Sequence, residues 1–225
     1  MVNVEEIKVL LKKYFTTLGD VTIQPDGVVD VTGQIILRKR VKQLPVQFGH
    51  VSGDFLCPNK SLTTLIGSPR RVEGNFICYE NALTTLQGAP DHVEGNFSCG
   101  ANKLESLQGA PVHVGRNFWG GGLGGELLTS LAGAPNYVGG IFSWMNGRNL
   151  TSLEGAPAHV GREFKCTYSP HLPVLRTLMY PSVHLLDGGD QVNHILDKYA
   201  GQGKVGALKA AAELIKAGYK DNARW

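Results

Sequence analysis

Between Leu62 and Phe164 the chain repeats itself at a nearly constant interval, and this periodicity constrains the fold more than any other feature. Leu83-Thr84-Thr85-Leu86-Gln87-Gly88-Ala89-Pro90 leads into Val93-Glu94-Gly95-Asn96-Phe97-Ser98-Cys99 and then Asn102. From Leu104 the Leu-x-x-Leu-x-Gly-Ala-Pro run returns, followed by Val114, Gly115 and Phe118. Val51, Val72, Val93, Val114, Val138 and Val160 are spaced by 21, 21, 21, 24 and 22 residues, and Pro69, Pro90, Pro111, Pro135 and Pro157 keep the same beat. A unit this short cannot bury its own apolar face. It must stack on its copies, which makes a solenoid.

Within the unit, Val72-x-Gly74-x-Phe76-x-Cys78 alternates with period two, so a strand is expected with those residues turned inward. The stacked strands should form a parallel sheet over a core of Phe, Cys and Leu. Cys57, Cys78, Cys99 and Cys166 each stand two residues after the repeat phenylalanine, while Trp144 and Gly120 take that slot in two other repeats. Such a slot is apolar, so a column of reduced core thiols is expected. Disulfides between neighbouring strands and a thiolate metal site are the alternatives. No Cys-x-x-Cys pair supports zinc. Asn81 and Asn102 should satisfy backbone groups in the turn that leaves the strand. Asn75, Asn96 and Asn117 could form an amide ladder. His50, His92, His113 and His159 all precede the repeat valine. That column could bind metal or sense pH, but a shared turn hydrogen bond explains a repeat-locked position more simply.

Outside the repeats, residues 3–18 read as an amphipathic helix. Asn3 caps it, Glu6 completes a capping box, and Val4, Ile7, Leu11, Tyr14 and Leu18 share one face. A solenoid end exposes an apolar cross-section, and this helix is expected to cover it. Asp26-Gly27 signals a hairpin, and Val31-x-Gly33-x-Ile35-x-Leu37 reads as a degenerate first repeat. Arg38, Lys39, Arg40 and Lys42 form the densest basic run, either a charged edge that discourages end-to-end stacking or a contact for phosphates or an acidic surface. After Cys166 the pattern decays through Pro170, Pro173 and Pro181, with Val174–Leu178 read as a last strand. Asp190–Tyr199 reads as a helix with Val192, Ile195, Leu196 and Tyr199 inward. Lys204–Ala217 reads as another, with Val205, Leu208, Ala212 and Ile215 facing in and Gly218 as its stop. Lys204, Lys209 and Lys216 make this end basic. The expected division is 1–48 for the N-terminal cap and degenerate repeats, 49–168 for the solenoid, and 169–225 for the C-terminal cap.

Net charge is +3, too mild to argue for nucleic acid or membrane. No long apolar segment at the N-terminus suggests a signal peptide or transmembrane helix. A soluble, cytoplasmic protein of a reducing compartment is expected, with no membrane partner. Gly120-Gly121-Gly122-Leu123-Gly124-Gly125 interrupts one repeat, as a binding loop or a length insertion, and lacks the Gly-Lys-Ser/Thr of phosphate-binding loops. No Ser/His/Asp set, Cys/His set or carboxylate pair stands apart from the repeat chemistry, so the expectation is no enzyme, no metal and no cofactor.

Phe76-x-Cys78-x-x-Asn81-x-Leu83-x-x-Leu86 fits the Leu-x-Leu-x-x-Asn-x-Leu pattern of leucine-rich repeats. Over about residues 31–166 the chain resembles the short leucine-rich repeats of bacterial effector proteins and of tailed-phage proteins. Gly203-Lys204-x-Gly206-Ala207-x-Lys209 onward to Trp225 looks like a phage-type tail. In secreted ubiquitin-ligase effectors a helical segment precedes such repeats and a large catalytic domain follows; here the tail after Cys166 is too short for that domain. The resemblance implies an α+β fold: a leucine-rich-repeat-like solenoid with a parallel sheet, an N-terminal capping helix and a small C-terminal helical subdomain. It further implies a phage or bacterial accessory protein acting on a host protein, in the host cytoplasm if phage-encoded. The outward residues expected to bind the partner are Ile77, Tyr79, Trp119, Ile141, Ser143 and Met145. A nucleic-acid-binding protein using Arg38, Lys39, Arg40, Lys42, Lys204, Lys209 and Lys216 is the alternative.

Overall fold

The computed structural model describes residues 3–122 and 127–225. Helix α1 (Val4–Tyr14) begins as expected, with the Asn3 side chain accepting the Glu6 amide. It ends at Tyr14 rather than Leu18, because the aromatic and β-branched run Phe15-Thr16-Thr17 favours extended backbone. The chain goes directly into β1 (Phe15–Ile23), and Leu18 is exposed on that strand instead of facing the core. Leu11 is buried and Ile7 and Tyr14 pack on the core, whereas Val4 stays exposed. At the Asp26-Gly27 turn Asp26 Oδ1 accepts the Val28 amide and Gly27 takes a φ of +87°. The turn returns the chain antiparallel into β2 (Val29–Leu37).

β2 founds two parallel ladders. Val29 and Val31 pair with Phe48 and Val51, and Ile35 and Ile36 pair with Phe55 and Leu56. The valine ladder continues through β3 (Phe48–Val51), β5 (Arg71–Val72), β7 (His92–Val93), β9 (His113–Val114), β11 (Tyr137–Val138) and β13 (His159–Val160). The phenylalanine ladder runs through β4 (Phe55–Leu56), β6 (Phe76–Ile77), β8 (Phe97–Ser98), β10 (Phe118–Gly121), β12 (Ile141–Met145), β14 (Glu163–Thr167) and β15 (Val183–Leu186). The result is a parallel β-solenoid of about seven turns with helices at both ends.

The repeated glycine between the two strands of a turn is required by close approach. A Cβ at Gly74 would lie 2.5 Å from the Gly53 carbonyl carbon, and one at Gly95 would lie 2.5 Å from the Gly74 oxygen. Inside, the valines, phenylalanines, cysteines and repeat leucines are buried. Phe55, Phe76, Phe97, Phe118, Phe142 and Phe164 stack with centroids 5.0–5.5 Å apart and planes within 11° of parallel. Phe48 ends this column edge-on at the N-terminal side. Tyr180 ends it at the other, 5.0 Å from Phe164, with its hydroxyl donating to the Pro157 carbonyl at 2.7 Å. Burial pushes the Tyr180 phenol up to about 12. All four cysteines are free and buried, and burial raises every thiol pKa, that of Cys166 to about 12.

The asparagines act as expected. Asn81 Oδ1 accepts the Lys60 and Leu62 amides while its Nδ2 donates to the Cys57 and Cys78 carbonyls. Asn102 repeats this one turn later, toward Leu83, Cys78 and Cys99. In the second polar column, Asn75 donates both its amide and its Nδ2 to Asp54 Oδ1, Asn96 does the same to Asn75, and Asn117 to Asn96. The Ile141 amide closes that ladder on Asn117 Oδ1 at 2.8 Å.

In the histidine column the His92, His113 and His159 backbone amides each donate to a carbonyl of the preceding turn, and the rings add a stack of their own. His92 stacks on His113, His113 on Tyr137 and Tyr137 on His159, at 5.8, 4.7 and 4.6 Å. His50 instead reaches Glu73 at 3.1 Å.

The C-terminal end departs most from expectation. Val174–Leu178 is not a strand: Leu175–Met179 is a 3-10 segment, and the last strand is β15, paired with β14. Helix α2 (Asp190–Tyr199) has the expected bounds and buries Val192, Ile195 and Leu196. Helix α3 (Gly203–Lys216) presents the face opposite to the one expected. Gly206, Ala207, Ala210 and Leu214 are buried, whereas Val205, Leu208, Ala212 and Ile215 face solvent. Small residues let α3 approach α2 and the 3-10 segment closely, so they win the interface over the larger ones. Asn222 fastens the end by donating Nδ2 to the Ser169 and Leu172 carbonyls at 3.1 and 2.8 Å, while its own carbonyl accepts the Val174 amide.

Candidate interaction face

Residues that alternate with the buried phenylalanines form the outward face of the phenylalanine ladder. Parallel register fixes their neighbours: Ile77 beside Ser98, Ser98 beside Trp119, Trp119 beside Ser143, and Ser143 beside Lys165. Two residues along, Gly121 pairs with Met145. At ~4.8 Å per rung, Ile77 and Tyr79 stand roughly 10 Å from Trp119, and only Ser98 and Gly100 occupy the rung between. The face therefore carries a notch between two apolar ridges. Tyr79 is 40% exposed, Trp119 37% and Met145 43%. Ile77 and Ile141 are half-buried.

Ser143 does not belong to this surface. It lies in register between the much larger Trp119 and Lys165, is 1% exposed, and its hydroxyl has no hydrogen-bond partner among the described residues. The patch is bounded by Lys165 and Glu163, 3.0 Å apart on β14.

The wide Trp119 rung rests on an unusual core. Trp144, fully buried, occupies the inward slot that cysteine fills elsewhere, and the space for its indole comes from Gly120 on the preceding rung. A Cβ at Gly120 would lie 2.4 Å from Trp144 Cε3 and Cζ3, and one at Gly147 would lie 2.6 Å from Cδ1. Of the glycine-rich insertion, Leu123–Gly125 lie outside the described residues.

Among the described residues, α1 packs against β1, α2 against β15 and the 3-10 segment, and α3 against α2 and the 3-10 segment, while Tyr79, Trp119 and Met145 stay exposed on the face. The two expected basic clusters are separated by the whole stack. Arg38 donates to the Lys12 carbonyl at the end of α1, Arg40 to Asn59 Oδ1 at 3.3 Å, and Lys39 lies over the Tyr14 ring. Lys204, Lys209 and Lys216 line α3 at the opposite end, roughly 30 Å away at ~4.8 Å per turn. They do not combine into one surface. Among the described residues, no group of three or more His, Cys, Asp or Glu side chains could hold a metal ion, and no helix is long and apolar enough to cross a membrane.

These features define a class: a helix-ended parallel β-solenoid with amide, phenylalanine and imidazole–phenol columns and one partly apolar rung face. Comparison with protein-family models, with curated proteins and with solved structures finds no match for this chain.

Proposed function

We propose that this chain is a binding module with no chemistry of its own, which engages another protein through the notched outward face of the phenylalanine ladder. The observation that carries the reading is the exposure of Tyr79, Trp119 and Met145 in the middle of a face where polar residues would be better solvated. Aromatic and methionine side chains are enriched at the centres of protein interfaces, and a notch floored by Ser98 and Gly100 suits one inserted side chain. The likeness of the repeat to bacterial and tailed-phage leucine-rich repeats supports an accessory protein that binds and modulates a host protein. The test replaces Trp119 and Met145 together by serine. Wild type should capture its partner from bacterial lysate, and the variant, with unchanged circular dichroism and urea midpoint, should lose it. Equal capture by the folded variant would refute the proposal.

A further inference from the structure

Helix α3 is attached by its small side chains and shows its large ones to solvent. Val205, Leu208, Ala212 and Ile215 follow at three- and four-residue intervals, forming one ridge directly opposite the buried Gly206, Ala207, Ala210 and Leu214. Trp225, Leu208 and Val205, at 69, 65 and 61% exposure, are with Val9 the most exposed large apolar side chains among the described residues. The ridge runs into a groove of about 420 Å³ whose walls include Leu178, Met179, Leu208 and Trp225, and whose one charged wall is Lys204. At 3.6 residues per turn, Lys204 flanks the ridge on one side and Lys209 and Lys216 flank it on the other. The only carboxylate in α3, Glu213, is held by Lys198 at 2.8 Å and by the Tyr199 hydroxyl at 2.6 Å.

We propose that this end of the protein docks on the surface of a bilayer containing anionic phospholipid, with the α3 ridge and Trp225 entering the interface and the lysines contacting headgroups. The arrangement selects this occupant in three ways. Lysines on both flanks are complementary to a continuous anionic plane, and they would repel one another across an isologous contact with a second copy. The ridge is convex and, at 14 residues, about 21 Å long, which suits insertion parallel to a membrane plane. The exposed tryptophan at its rim is of the type that settles at the level of headgroups. The sequence-based expectation of no membrane partner rested on the mild net charge and on the lack of a long apolar segment, and a short amphipathic ridge at one end of the molecule meets neither criterion.

The test sediments the full chain with vesicles of phosphatidylcholine alone and of equimolar phosphatidylcholine and phosphatidylserine. Trp225 fluorescence is read as the difference from Trp225→Phe. Binding should occur only with phosphatidylserine, weaken with salt, and shift Trp225 emission to the blue. L208D/I215D should lower partitioning about a hundredfold or more. K204A/K209A/K216A should also lower it about a hundredfold, at roughly fivefold per lysine. These side chains are exposed, so circular dichroism and urea midpoint should not change. Absence of wild type from phosphatidylserine vesicles would overturn the proposal, as would undiminished binding by L208D/I215D. Retention by an acidic protein but not by vesicles would also overturn it and assign the ridge to a protein partner.

Discussion

If Gly120 exists to make room for the Trp144 indole, the two positions must be strongly coupled. Gly120 has no left-handed φ, and the atoms nearest a new Cβ belong to side chains, the Trp144 ring at 2.4 Å and then Phe118 Cε1 at 3.0 Å. Gly120→Cys should therefore cost the overpacking penalty, about 1–3 kcal/mol, at the upper end because Trp144 is itself pinned against Gly147. Trp144→Cys should cost about 3–5 kcal/mol, the usual price of emptying a fully buried aromatic site. The double variant gives both rungs the cysteine that most others carry. Its cost should fall below the sum of the singles by about 2 kcal/mol or more, whereas independent sites add within about 0.5 kcal/mol. Urea unfolding followed by far-UV circular dichroism gives all three values without relying on Trp144 as reporter. Additive costs would refute the reasoning.

Three further outcomes follow. Asn102→Ala should destabilise by about 2–4 kcal/mol in urea, because the buried Leu83 amide and the Cys78 and Cys99 carbonyls lose their partner; a loss under about 1 kcal/mol would mean these groups find another. None of the four cysteines should react with iodoacetamide in the folded protein at mildly alkaline pH, since burial both hides each thiol and raises its pKa, and all should react in denaturant; rapid labelling of the native chain would contradict the stacked core. Acid should loosen the C-terminal end. The His171 hydrogen bond holds the Asp221 carboxyl below its ordinary range, and hydrogen bonds from Lys198 and Tyr199 do the same for Glu213. Their stabilisation is complete above the ordinary carboxylate pKa and is lost as pH falls through the lowered folded values. Asp221→Asn should reduce the acid sensitivity of Trp225 emission, and an unchanged profile would remove this account.

The solenoid was legible because its repeat imposes one answer many times. Val72, Phe76 and Cys78 alternate with the same parity in every turn, so a wrong inward assignment would have to fail in all of them. The Asn75–Asn96–Asn117 ladder and the Asp26-Gly27 hairpin were readable for the same local reasons. Where the repeat stops, so does the signal. Helix α3 has apolar residues on both sides, and the rule that large ones go inward failed because Gly206, Ala207 and Ala210 allow a closer approach. Ser143 carries no mark of burial; only its register between Trp119 and Lys165 encloses it. Asn222 lies in the tail, and nothing local announces that it bonds carbonyls some fifty residues earlier.

The amide ladder has a direction. Each asparagine gives its hydrogens to the turn before and lends its oxygen to the turn after, beginning at Asp54, which can only receive, and finishing at the Ile141 backbone. A carboxylate is at home solely in the founding position, since anywhere later two oxygens would confront each other. Such a molecule can lengthen or shorten by whole turns, provided each inserted turn carries an amide and joins above the aspartate.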